Sequence, residues 1–330
     1  MSDVLLKAEH LKKYFPIKGG MLQRTVGHVH AVDDVSLEIR RGKVLGLVGE
    51  SGCGKSTTAR VMTNLIPPTS GTVTFDGEDL LTKDKALAKK LRRQINMVFQ
   101  DPFGSLDPRM NVAELVGEPM VAYNLVKNKK EMTERAVELI EKCGLFADQI
   151  YRFPHQFSGG QRQRICIARA LAANPSFVVC DEAVSALDVS IQAQIINLLC
   201  DLKDEMGLTY LFISHDLSVV RFICDDVAVM YLGQVVEKAE KNELFDHPLH
   251  PYTQGLLDAA PVFDAEEQKD RLLLEGDIPS PSNPPKGCRF HTRCPYATER
   301  CAMEEPELRE VLPGHFVRCF EAKADVPEHA

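Results

Sequence analysis

The apolar run Val44 to Val48 ends at Gly49, and from there the chain reads GESGCGKST before apolar residues resume in TTARVMTNL. Few sequence features restrict a fold more. A short continuous apolar run is typical of a strand buried on both faces. Gly49, Gly52 and Gly54 let the backbone turn its N–H groups inward, and the helix beyond points its positive end at the same loop. The pattern fits G-x-x-x-x-G-K-[ST]. Gly49, Glu50, Ser51, Gly52, Cys53, Gly54, Lys55, Ser56 and Thr57 are therefore expected to surround the phosphates of ATP. Lys55 reaches the β- and γ-phosphates, and the Ser56 hydroxyl ligates Mg²⁺. Cys53 reads as a small spacer, although a helix N-terminus beside it would depress its pKa.

The remainder alternates strand-like and helix-like stretches. VLLKAEHLKKYF and HAVDDVSLEI predict strands, and the polar, glycine-containing PIKGGMLQRTVGHVH between them is expected as a loop. Strands return over 66–100, with a helical interlude near Lys83 to Arg93. MTERAVELIEKCGL and Gln161 to Ala173 predict helices, whereas FVVCDE, LTYLFISHD and VAVMYLG predict buried strands. This is the alternation of an α/β domain with a mainly parallel sheet. Composition shifts near residue 265. The stretch 266–330 holds eight of the nineteen prolines and four clustered cysteines, with little apolar periodicity. The expected division is thus a domain over 1–265 and a separate loop-rich extension over 266–330.

Composition narrows the function classes. The chain has 330 residues, 44% of them hydrophobic, enough for a large core. A net charge of -8 argues against nucleic acid as the main partner. No apolar stretch approaches the roughly 18 residues of a membrane span. The start, MSDVLLKAEHLKK, lacks a secretory apolar block, so the chain is expected in the cytosol. Structural disulfides are disfavoured there, so Cys143, Cys166, Cys180, Cys200 and Cys224 read, with Cys53, as small core hydrophobes.

FVVCDE ends in two carboxylates. Asp181 is placed to hold Mg²⁺ through water, and Glu182, one residue further, faces differently and polarises an attacking water. FSGGQ, from Phe157 to Gln161, precedes a helix. SALD, from Ser185 to Asp188, follows the carboxylates, and His215 lies in ISHD after another apolar strand.

The order phosphate loop, VFQDP, SGGQ, DE, SALD and SHD resembles the nucleotide-binding domain of ABC ATPases across about residues 4 to 260. That resemblance implies an ABC-type P-loop α/β core with antiparallel β and helical subdomains, the helical one over about 101–172. It implies a head-to-tail dimer in which Ser158, Gly159, Gly160, Gln161 and Asp188 act on the partner's ATP. His215 is expected at the γ-phosphate, beside Glu182 as the catalytic pair. Gln100 joins Ser56 and Asp181 at the metal and links it to the membrane subunits. Phe15 matches an adenine-stacking aromatic, with Tyr14 the runner-up. The chain departs from the family at Phe157, where Leu is usual, and at Ala183, where Pro is usual; neither removes a reacting group.

YRFPHQFSGGQRQR, CDEAVSALDVSIQAQIINLL and HPLHPYTQGLL look more narrowly like ATPase subunits of dipeptide and oligopeptide importers, and Gln161 favours the F-type subunit over the D-type. The implied partners are a D-type ATPase, two transmembrane permease subunits and an extracytoplasmic solute-binding protein. The implied location is the cytoplasmic face of the membrane, bound peripherally. Nickel or another small solute is the alternative cargo, and a soluble ABC ATPase acting on DNA or ribosomes, or a module that binds ATP without turnover, are the rival classes.

Cys288, Cys294, Cys301 and Cys319 form C-x5-C-x6-C-x17-C. Four thiolates suit a [4Fe–4S] cluster or tetrahedral Zn²⁺, and the close cysteine knuckles usual for zinc are absent. The tail also resembles the C-terminal extension of peptide-importer ATPases, some of which hold such a cluster. The cluster is expected, with zinc or unliganded thiols as alternatives. His291 and His315 read as surface residues.

Overall fold

The structure is a computed structural model that describes residues 3–19, 23–185, 187–259 and 276–322. They group into two compact units. One is built mainly from Ile39–Val44 and Phe75–Ile213, the other mainly from Leu6–Glu38, Leu45–Thr74 and the described part of Ser214–Ala330. The 265/266 boundary expected from composition lies outside the described residues.

In the first unit, Ile95–Val98 runs parallel to Phe177–Asp181, which runs parallel to Thr209–Ile213. The last two strands are buried along their whole length, as their continuous apolar sequences require. Tyr210 resolves its polar tip by donating to the Leu199 carbonyl at 3.1 Å. The helices Val112–Ala122, Lys129–Lys142 and Gly159–Leu171 form the helical part. Asn111 and Glu114 close a capping box on the first of them. Gly117 allows its neighbour to approach, because a Cβ there would lie 2.5 Å from the Met132 side chain. The interlude near Lys83 is the helix Lys85–Arg93, begun by the Asp84 carboxylate, which accepts from the Ala86 and Leu87 N–H groups.

In the second unit, Val44–Val48 lies parallel to Asp226–Tyr231, with Leu45 opposite Asp226. The sheet then turns antiparallel through Gln234–Glu240, His315–Val317 and Arg309–Leu312. The cysteine-containing extension therefore adds two short strands to the sheet that carries the phosphate loop's strand. Arg24–Arg40, Val4–Gly19 and Ser70–Phe75 are neighbours in a further sheet.

One expectation is overturned. PIKGGMLQRTVGHVH is not a loop over most of its described length: one strand runs to Gly19 and the next begins at Arg24. A Cβ on Gly19 would lie 3.0 Å from Val26. That glycine reads as a turn former but serves a close cross-strand approach. Among the described residues no helix is long and apolar enough to cross a membrane.

Candidate functional site

The phosphate loop has the backbone its glycines permit. Gly49, Gly52 and Gly54 take φ of 144°, 78° and 109°. Space forbids a side chain as well: a Cβ on Gly49 would lie 2.2 Å from the Met230 carbonyl oxygen, and one on Gly54 2.2 Å from that of Ala31. The helix Lys55–Met62 starts with no side-chain cap on its first turn, so its leading N–H groups face the loop. Lys55 is buried and bends back across the loop, where its Nζ donates to the carbonyls of Gly49 at 2.7 Å and Glu50 at 3.0 Å. Ser51 and Gly52 are exposed at the loop's crest, and Ser56 and Thr57 are half-buried behind it. Cys53 departs from the reactive option. It is 4% exposed, and burial pushes its thiol up despite the Lys55 ammonium beside it.

Glu50 is held by groups that sequence reasoning did not single out. Its N–H donates to the Tyr252 hydroxyl at 2.9 Å. Its carboxylate accepts both arms of Arg293, at 2.7 and 3.1 Å. Tyr252 stood inside the HPLHPYTQGLL motif without an assigned task, and nothing in the local sequence marks Arg293.

The carboxylate pair sits in the other unit. Asp181 ends its strand 3% exposed. Glu182 then takes φ of 50°, an uncommon conformation for a side chain of its size, and this turn aims the two carboxylates differently. The Glu182 N–H donates to the Ile213 carbonyl at 3.1 Å. The Glu182 carboxylate accepts from Gln100 Nε2 at 2.7 Å, so two of the expected residues are brought together.

SGGQ starts the helix Gly159–Leu171. Ser158 accepts from the Gln161 N–H while Gln161 Oε1 accepts from the Ser158 N–H, a complete capping box. Gly160 is required by packing, since a Cβ would meet Ile191 at 2.6 Å. Asp188 caps Val189–Met206 by accepting from the Ile191 N–H at 2.9 Å. Its carboxyl is held below the usual range by that N–H first and by Ser190 second. His215 is exposed, one residue before the Asp216 that caps Leu217–Ile223.

The two aromatic candidates differ. The Tyr14 ring lies against that of His30, tilted by 33° with centroids 4.2 Å apart, and its hydroxyl donates to Asp33. Phe15 is 36% exposed, with Lys13 Nζ 5.1 Å from its ring centre.

All four cysteines of the extension line one cavity, together with Phe290, Tyr296 and Phe320. Gly287, at φ of 68°, brings the chain so close that a Cβ would lie 2.4 Å from the Cys301 carbonyl oxygen, and the Cys288 N–H donates to that oxygen at 2.8 Å. Backbone N–H groups of Phe290, Tyr296 and Glu321 serve the sulfurs of Cys288, Cys294 and Cys319. Burial pushes Cys288 and Cys294 up to about 11. Among the described residues no three His, Cys, Asp or Glu side chains are grouped as ligands for a metal ion. His315 is not at the surface as expected. It is fully buried, and its Nε2 meets the Glu237 carboxylate at 2.7 Å.

The family model described as "ABC transporter" matches residues 32–185, and "Oligopeptide/dipeptide transporter, C-terminal region" matches residues 236–301. Over 321 residues the chain is 53% identical to the oligopeptide transport ATP-binding protein AppF of Bacillus subtilis, covering 96% of this chain and 97% of that protein. The chain belongs to this family of ABC transporter ATP-binding subunits. It is 48% identical to the dipeptide transport ATP-binding protein DppF of Haemophilus influenzae over 96% of each chain. Among solved structures, the ATP-binding cassette MJ0796 in a dimeric post-hydrolysis state with ADP and Pi matches with a TM-score of 0.63 and 30% identity, over 72% of this chain and 99% of that one. The chain is thus an ABC-type ATPase that uses ATP and Mg²⁺ to energise an importer. Subunits of this family work as dimers with membrane permease partners and associate with the membrane peripherally.

Proposed function

We propose that this chain is the F-type ATPase of a di- and oligopeptide importer. It pairs head to tail with a D-type ATPase beneath two permease subunits, and an extracytoplasmic solute-binding protein delivers the peptide. The similarity that runs the length of the chain, through the C-terminal transporter region, supports this reading most.

Gly49 to Thr57 bind the polyphosphate. Lys55 exchanges its two loop carbonyls for phosphate oxygens, and the N–H groups of the first helical turn complete the cradle. Ser56, Asp181 and Gln100 offer hydroxyl, carboxylate and amide oxygens, which suit a hard cation. They would hold Mg²⁺, which would supply neutralising charge at the phosphates. Glu182 accepts the proton of the attacking water, and Gln100 holds its carboxylate in place. His215 contacts the γ-phosphate, and Phe15 stacks on the adenine. Ser158, Gly159, Gly160 and Gln161 present a pre-formed helix N-terminus to the partner's ATP, joined by Asp188.

The four cysteines of the 266–330 extension hold a [4Fe–4S] cluster. Four thiols around one apolar-walled cavity, three of them served by backbone N–H groups, fit the ligand set and outer hydrogen bonding of such a group. Bound there, such a cluster would supply a covalent staple for a proline-rich segment.

Co-expression with candidate permeases and a D-type partner, followed by uptake of labelled dipeptide into vesicles, tests the function. ATP-dependent uptake supports it, and transport of a nickel chelate in place of peptide overturns the substrate. Anaerobic purification with iron, sulfide and zinc analysis tests the cysteine site. Zinc without iron overturns the cluster.

A further inference from the structure

The cysteine extension reaches into the phosphate loop through one side chain. Arg293, next to Cys294, has its side chain 4% exposed, and both its terminal nitrogens meet the carboxylate of Glu50, the second residue of the loop. Aromatic side chains flank the pair. Tyr231, Tyr252 and Phe290 form a cluster with ring centroids 4.7 to 5.4 Å apart. The Arg293 guanidinium lies 5.8 Å from the Tyr231 ring centre, and the Tyr252 hydroxyl takes the Glu50 N–H. A planar fork matched to a carboxylate gives a fixed geometry that a lysine does not.

An acidic residue at this place is a liability. The loop's substrate carries several negative charges, and a carboxylate within its own backbone turn repels them in a partly dry environment. Arg293 cancels that charge and holds the side chain in one position. We infer that Arg293 of the cysteine extension is a positioning residue of the nucleotide site: it neutralises Glu50 and thereby allows the phosphate loop to accept MgATP. This rests on the assignment of Gly49 to Thr57 as the ATP site.

The test uses the full-length chain, purified anaerobically, with trinitrophenyl-ATP and MgATP competition as probes. Arg293→Ala is expected to weaken MgATP binding about tenfold, the scale of one uncompensated charge near the loop. In the assembled importer KM rises while kcat stays within about twofold, because no reacting group is touched. Adding Glu50→Gln to that variant is expected to restore affinity to near the parent value. Glu50→Gln alone leaves the Arg293 charge facing the loop and is expected to bind MgATP more tightly than the parent. This single variant carries the test if Arg293→Ala does not fold. Unchanged affinity in Arg293→Ala, a double variant as weak as Arg293→Ala, or weakened binding in Glu50→Gln each overturns the inference. Lys55→Ala separates the two assignments: if it binds MgATP normally, the site assignment itself fails, whereas its loss beside an unaffected Arg293→Ala rejects only the positioning role.

Discussion

Gln100 donates its side-chain amide to the Glu182 carboxylate at 2.7 Å, although 82 residues separate them in the chain. The bond holds the carboxylate that follows a backbone turn of positive φ, so its direction is set twice, once by the main chain and once by an amide. Glu182→Gln in the assembled complex is expected to lower phosphate release at saturating ATP by about a hundredfold or more, the scale of a lost general base. Nucleotide affinity stays intact. Gln100→Ala is expected to lower the same rate by a smaller factor. Normal turnover in Glu182→Gln removes Glu182 from the chemistry.

Lys55 spans its own loop through two charge-assisted bonds to Gly49 and Glu50. Its replacement by Ala removes an ammonium that crosses the loop. MgATP affinity is expected to fall roughly a hundredfold, as for loss of more than one hydrogen bond to a charged group. Isothermal titration on the isolated chain measures this directly.

Gly160 has no room for a methyl group, because Ile191 stands 2.6 Å from where Cβ would be. Isoleucine is stiff at χ1 and yields poorly. Gly160→Ala is expected to destabilise the chain by about 1–3 kcal/mol, the usual scale of overpacking, seen as a lower thermal midpoint. The isolated chain keeps its own nucleotide affinity, and ATPase activity falls only in the two-ATPase assembly.

His315 and Glu237 form a fully buried pair. Burial alone lowers the imidazole pKa, but the Glu237 bond and charge, helped by Glu243, outweigh it and the net shift is upward from 6.5. The native state therefore binds the proton more tightly than the unfolded chain. The pair's stabilisation is full below about pH 6.5 and is lost as pH rises through the native-state value. His315→Gln is expected to cost roughly 3 kcal/mol at acidic pH, as for a broken buried pair. The gap in melting temperature from the parent should shrink toward pH 9. A gap that widens with pH rejects the charged pair.

Local chemistry made much of this protein legible. GESGCGKST shapes its loop through glycines, two of which, Gly49 and Gly54, have no room for a side chain, and Phe177–Asp181 and Thr209–Ile213 announce themselves as buried strands through unbroken apolar runs. Ser158 and Gln161 stand at the spacing of a capping box, so their helix start was readable although the box itself was not foreseen. Gly19 misled for the same local reason: a glycine signals a turn unless a partner strand is visible, and Val26 becomes its partner only once the two strands pair.

The glycine-rich loop between a buried strand and a helix, the carboxylates at the end of another buried strand and the class of the core were all legible along the chain. Each of these depends on residues within a few positions of one another, or on a period that the backbone imposes. Tertiary structure alone decided that His315 is buried on Glu237, that four cysteines spread over the extension share one cavity, and that Arg293 meets Glu50 across 243 residues. Those pairings depend on which strands become neighbours in the sheet. That choice is made by the burial of the whole core and leaves no mark in the residues that flank either partner.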